Sequence, residues 1–235
     1  MSQQIETVLF DFGGTLDADG VAWKERVHGH YRSEGLHMTA EDFAPAFYAA
    51  ADRLAGALPR EADLAATVHE LTSNLETELG RRAMRDDKAR GRRAAAGFLA
   101  EASASFARNR PLLETLSCRY RLGIVSNFYG NLEAVCRGAG LAPLFRVMVD
   151  SQRVGAEKPD PAIFRAALDP LGAAPERTLF VGDSLRRDRE GARRMGMDFV
   201  WIAPTAVQQA EARAAKAPLN HPVVTSFGEL AEILT

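Results

Sequence analysis

Short apolar runs recur along the chain, each closing on a small or polar residue. Residues 7–12, TVLFDF, run straight into Gly13-Gly14. RLGIVSN (121–127), TLFVGDS (178–184) and MDFVWIAP (197–204) end on Ser, Asn, Gly, Asp or Pro, and FRVMVDS (145–151) and HPVVTS (221–226) have the same form. Runs this short, rich in β-branched and aromatic residues and without polar alternation, predict strands buried on both faces. Between them, apolar residues at three- and four-residue spacing predict helices over Asn131 to Gly138, Pro161 to Leu171 and Arg187 to Met195. Strands alternating with helices predict an α/β fold, a doubly wound parallel sheet.

One interval breaks the rhythm. From about Asp17 to Arg108 no strand pattern appears, and the stretch is dense in Ala, Leu, Glu and Arg. Four helices are expected there, Val21–Gly35, Ala40–Gly56, Glu61–Gly80 and Asp87–Phe106, with Thr39 as an N-cap and Gly35, Gly56 and Gly80 as terminators. The expected organisation is an α/β core of residues 1–16 and 109–235 with a helical insertion over 17–108. Its joints are the DADG turn (17–20) and the Asn109-Arg110-Pro111 segment, and both are expected to hinge. The Ala-rich segment 206–217 reads as a surface helix.

Composition narrows the functional classes. Of 235 residues, 46% are apolar and 26% charged, which suits a globular chain with a substantial core. A formal net charge of −2 lacks the global pull of a dedicated nucleic-acid binder. The run RRAMRDDKARGRR (81–93) holds seven basic and two acidic residues, yet no aromatic interrupts it to stack on a base, so it reads as a solvated helix face. Cys118 and Cys136 offer no disulfide framework. With no signal-peptide pattern and no membrane-length apolar run, a cytoplasmic monomer or homodimer without nucleic-acid or membrane partners is expected.

Ligands of open α/β sheets bind at the carboxyl ends of the strands. There lie Asp11 after the first strand, Ser126 and Asn127 after the next, and Asp183 after the TLFVG strand with Asp188 five residues on. Lys158 sits in the intervening loop EKPDP. One cation among three carboxylates suggests a site for a divalent metal and an anionic group, and magnesium prefers oxygen ligands that bridge to phosphate. Phe128 and Tyr129, just beyond Ser126-Asn127, are candidate pocket walls. Asp17 and Asp19 read as turn residues leading into a helix. His28 and His30, two apart on a helix, cannot share a face.

In VLFDFGGTL, IVSN, the lysine of GAEKPDPAIF and VGDSLRRDREGARRMGM, in this order, the chain resembles the haloacid dehalogenase superfamily of aspartate-nucleophile hydrolases, most of which are phosphatases. The likeness is nearly continuous from about Arg121 to Pro204, and the helical insertion is similar to that family's cap domain. The resemblance implies that Asp11 is the nucleophile, carrying an aspartyl phosphate, and that Mg2+ is the cofactor. It further implies that Asp11, the Gly13 carbonyl and Asp183 hold the metal, with Asp188 behind them. Ser126 would bind the phosphoryl oxygens with Asn127 and Phe128 beside it, and Lys158 would screen Asp11 from an incoming dianion. The implied substrate is a small phosphorylated metabolite.

One position departs from the pattern. The phosphatases of this family carry a second aspartate, the general acid and base, two residues after the nucleophile, where this chain has Gly13 in a tight turn. That gap admits a slow phosphatase, a phosphoryl-ligand binder or regulatory pseudoenzyme, or a hydrolase of another bond. The metal-free carbon–halogen branch fits poorly with Asp183 and Asp188 in place.

Overall fold

The computed structural model describes residues 4–82, 87–215 and 221–234, without the side chains of 212–215. Six parallel strands form one sheet in the order β3-β2-β1-β4-β5-β6. They are β1 (Thr7–Phe10), β2 (Arg121–Ser126), β3 (Val147–Asp150), β4 (Thr178–Gly182), β5 (Asp198–Ile202) and β6 (Val223–Val224). Every run expected to be a strand is one. β1 is buried along its whole length because it pairs on both sides, Phe10 standing opposite Ile124 of β2 and Val181 of β4. The doubly wound expectation therefore holds.

The helices are α1 (Trp23–Ser33), α2 (Ala40–Asp52), α3 (Leu64–Arg81), α4 (Lys88–Ser117), α5 (Leu132–Gly138), α6 (Ser151–Val154), α7 (Pro161–Leu171), α8 (Glu190–Met195), α9 (Thr205–Ala215) and α10 (Phe227–Leu234). One face of the sheet packs on α7 and α8, with Leu9, Phe180 and Trp201 against Ile163, Phe164 and Ala192. The other face packs Phe10, Ile124 and Val200 against Leu113 of α4, Val135 of α5 and Leu230 of α10. That second apolar cluster does not stop at the sheet. It continues through Phe12, Trp23 and Phe98 into the interior of α1 to α4.

Two details of the insertion differ from expectation. Gly80 lies inside α3, which ends at Arg81, and Gly56 lies four residues beyond the end of α2 at Asp52, whereas Gly35 follows the C-cap of α1 in the left-handed conformation that suits a terminator. More consequentially, α4 runs through Asn109-Arg110-Pro111 without a break. Pro111 costs the helix one hydrogen bond, but Ala102, Phe106, Asn109, Leu113 and Leu116 keep one buried face in phase across it. Packing outweighs the local penalty. The other joint is equally tied down. Gly20 has φ of +79°, and a β-carbon there would come within 2.5 Å of the Ile202 carbonyl and Ala203 Cα, so the DADG turn lies flat against the end of β5.

Thr39 caps α2, its hydroxyl accepting from the Asp42 amide. Three residues of the basic run pair within the insertion, Arg81 with Glu78 at 2.6 Å, Arg90 with Glu76 at 2.7 Å, and Arg93 with Glu34, while Arg82, Lys88 and Arg92 are exposed. Its residues 83–86 lie outside the described residues, as do 216 and 217 of the Ala-rich segment. Among the described residues no helix is long and apolar enough to cross a membrane.

Candidate active site

The parallel sheet brings the predicted polar residues to one edge, because the carboxyl ends of β1, β2 and β4 lie side by side. Asp11 leaves β1 in extended conformation, its own amide donating to the Val181 carbonyl. Gly14, not Gly13, is the residue that needs the left-handed region, with φ of +91° against −77° for Gly13. A β-carbon on Gly14 would lie 2.6 Å from Asp183 Oδ2, so the first-strand turn and the β4 carboxylate approach as closely as glycine allows.

Lys158 is the hub. Its Nζ lies 2.7 Å from Asp11 Oδ1 and 2.7 Å from Asp188 Oδ1 and is almost wholly buried. Ser126 Oγ donates to Asp11 Oδ1 at 2.8 Å. The following helix starts only after Asn131, and its Leu132 amide donates to Asp150 Oδ2 at 3.1 Å, so Ser126 has no capping duty. Asp188 Oδ2 accepts the Ser184 amide at 2.9 Å. Asn127 uses both ends of its amide on the backbone of Lys158: Nδ2 donates to the carbonyl at 3.3 Å, and Oδ1 accepts from the amide at 2.8 Å. Through these two bonds it holds the lysine loop, and each end of the amide keeps one further hydrogen-bonding position.

Asp11, Asp183 and Asp188 each present a carboxylate oxygen within 4.8 Å of the others. Three acids and one lysine leave the cluster short of positive charge. Burial, reinforced by Asp11 and Asp188, pushes Asp183 well above the usual carboxylate range, with Lys158 opposing. Burial likewise pushes Asp188 up to about 6 against the pull of Lys158. For Lys158, burial acts to lower the pKa but Asp11 and Asp188 outweigh it, so the ammonium is held above its ordinary value. An all-oxygen set with unbalanced negative charge fits a hard divalent cation.

Phe128 is buried, edge-on to Phe12 at 5.5 Å and to Trp23 at 5.7 Å, with Tyr129 stacked obliquely beside it. Asp17 is fully buried, and its carboxylate accepts from the Gly14 amide (2.6 Å), Trp23 Nε1 (2.7 Å) and Arg26 Nη1 (2.6 Å). Asp19 pairs with Arg108 at 2.7 Å and accepts the Phe227 amide. Both are structural, as the turn reading expects. His28 donates through Nε2 to the Met38 carbonyl at 2.9 Å inside the insertion, and His30 meets Glu101. Trp23 escaped notice in the sequence. The signal available was its spacing of three from Arg26, which places both on the face of α1 turned toward Asp17.

Comparisons with known proteins bear on the family and the fold. A glyceraldehyde 3-phosphate phosphatase of Methanothermobacter thermautotrophicus is 32% identical over 149 residues, 60% of this chain and 66% of that protein. A phosphoserine phosphatase of Thermus thermophilus is 48% identical over 65 residues, 28% of this chain and 26% of that protein. The chain thus spans between a quarter and two thirds of these relatives. Among solved structures, a dehalogenase superposes with a TM-score of 0.65 at 21% identity, covering 100% of this chain and 99% of that one, which speaks for the fold. Residues 5–196 match the haloacid dehalogenase-like hydrolase model. With most of its length inside that match, this chain belongs to the haloacid dehalogenase-like hydrolases.

Proposed function

We propose that this protein is a magnesium-dependent phosphohydrolase or phosphotransferase acting on a small phosphorylated metabolite through an aspartyl phosphate on Asp11. One observation carries the reading. Asp11 Oδ1 is held by Ser126 and Lys158, while Oδ2 has no hydrogen-bond partner among the described residues. A carboxylate with one oxygen oriented and the other free is arranged as a nucleophile. The phosphatase names of its relatives support the same chemistry.

Asp11, Asp183 and the Gly13 carbonyl would hold magnesium, with Asp188 buttressing them through the shared lysine. Bound there, the metal neutralises charge on the transferring phosphoryl oxygens. The chain's own residues do the rest. Lys158 offsets the repulsion between Asp11 and a phosphate dianion, Asn127 fixes the lysine's backbone, and the Ser126 hydroxyl orients the attacking carboxylate. The helical insertion over 17–108 serves as the cap, with α1 and α4 nearest the site. A phosphoryl-ligand binder without turnover is the second reading, favoured by Gly13 at the acid's position.

Hydrolysis of p-nitrophenyl phosphate with and without magnesium tests the reading: turnover that requires the metal is expected, and ligand binding without turnover favours the second reading. Calorimetry tests the metal set separately. Asp183→Asn is expected to weaken magnesium binding at least about tenfold, and equal affinity removes Asp183 from the site.

A further inference from the structure

The position two residues after Asp11 is not an empty notch. A β-carbon on Gly13 would come within 3.1 Å of Trp23 Nε1 and 3.2 Å of its Cδ1, tighter than an ordinary contact, so the indole must give way before any side chain fits there. Trp23 has little freedom to move aside. It is 8% exposed, stands edge-on to Phe98 at 5.0 Å and to Phe128 at 5.7 Å, and donates its N–H to Asp17 Oδ2 at 2.7 Å. Asp17 Oδ1 in turn accepts the Gly14 amide, so indole and first-strand turn are fastened to the same carboxylate. Arg26 shares Asp17 Oδ2 with the indole, its Nη1 donating at 2.6 Å, while the guanidinium lies 4.0 Å over the Phe98 ring.

We infer that Trp23 determines the substrate class of this site. By filling the space beside Gly13 with an indole whose N–H is spent on Asp17, it keeps out both an acidic side chain and a water poised for activation. The inference rests on the phosphoryl-transfer reading above. Attack by Asp11 Oδ2 forms the aspartyl phosphate and breaks the phosphorus–oxygen bond to the leaving group, which departs with the electron pair and receives no proton. Carboxylates and phenolates tolerate that departure; alkoxides do not. Water later cleaves the phosphoryl–Asp11 bond, restoring the carboxylate and releasing inorganic phosphate. With no base beside it, this step is slow. Trp23 thereby reserves the site for acyl and aryl phosphates and prolongs the phosphorylated state.

The test is a cycle of Gly13→Asp, Trp23→Ala and the pair, each checked for folding by circular dichroism, with Trp23→Leu in the pair as a second variant that keeps more apolar bulk against Phe98 and Phe128. Asp11 phosphorylation by acetyl phosphate and its decay are followed by intact mass. Gly13→Asp alone is expected to lower the melting temperature and leave decay slow, because Trp23 crowds the new side chain from its β-carbon outward. The pair is expected to decay faster by about 10²-fold or more and to narrow the aryl-to-alkyl rate ratio similarly. Gly13→Asp performing as well as the pair overturns the inference while wild-type phosphorylation still supports the proposed function. Absence of phosphorylation in the wild type and every variant overturns both.

Discussion

Asp11→Asn is expected to abolish phosphoryl transfer, with a loss of at least about 10⁴-fold, because no second nucleophile stands at the site and residual binding cannot form the intermediate. The protein is expected to stay folded. The amide is isosteric, its oxygen can still accept from Ser126, and Lys158 keeps its 2.7 Å contact with Asp188. Removing one of three crowded negative charges also relieves the repulsion that raises Asp183, so the melting temperature should match or exceed that of the wild type. Activity at saturating magnesium, thermal denaturation and mass analysis after acetyl phosphate treatment check these outcomes together. Retained turnover, or a phosphoryl group found elsewhere, would remove Asp11 as the nucleophile.

The second large effect concerns the leaving group. A positioned acid–base residue is worth about 10²–10⁴-fold in rate, and Gly13 supplies none. Nor can the two acids of the DADG turn step in. Asp17 is fully buried with three donors on its oxygens, and Asp19 is engaged by Arg108 and the Phe227 amide. Alkyl phosphates should therefore turn over at least about 10²-fold more slowly than acyl or aryl phosphates of similar size. Because the missing group is also the one that activates water, rapid mixing with an aryl phosphate should release a burst of one leaving group per active site before the steady state. Rapid alkyl phosphate hydrolysis without a burst contradicts the assignment and requires another proton source.

The sheet was legible because its strands are buried on both faces, and apolar runs with polar endings are what such burial demands. The same reasoning placed Asp11, Ser126, Asp183 and Asp188 at one edge, since a parallel sheet gathers its strand ends. What stayed hidden depends on side chains meeting across long separations. Asn127 is placed at the site by its position after β2, but its two bonds to a loop 31 residues away leave no trace in the local pattern. Trp23 looks like ordinary core in a helix pattern, and its approach to Gly13 depends on Asp17, whose carboxylate binds both the indole and the Gly14 amide. The continuation of α4 was masked by Pro111, whose local preference is read more readily than the seven-residue phase linking Ala102, Asn109 and Leu116.

That uninterrupted helix has a consequence for how insertions of this kind can be exchanged or diverge in length. Residues on the N-terminal part of α4, such as Phe98, face α1, whereas Leu113 and Leu116 face the sheet, and between them Asn109 donates to the Leu16 carbonyl at 3.2 Å. One residue added or removed near the middle would turn one half relative to the other by about 100° and shift it by about 1.5 Å along the axis. Seven residues, nearly two turns, would restore the angle to within about 20°. A chimera that imports a foreign insertion therefore has to splice α4 in register, and viable length variants of this helix should differ by about seven residues.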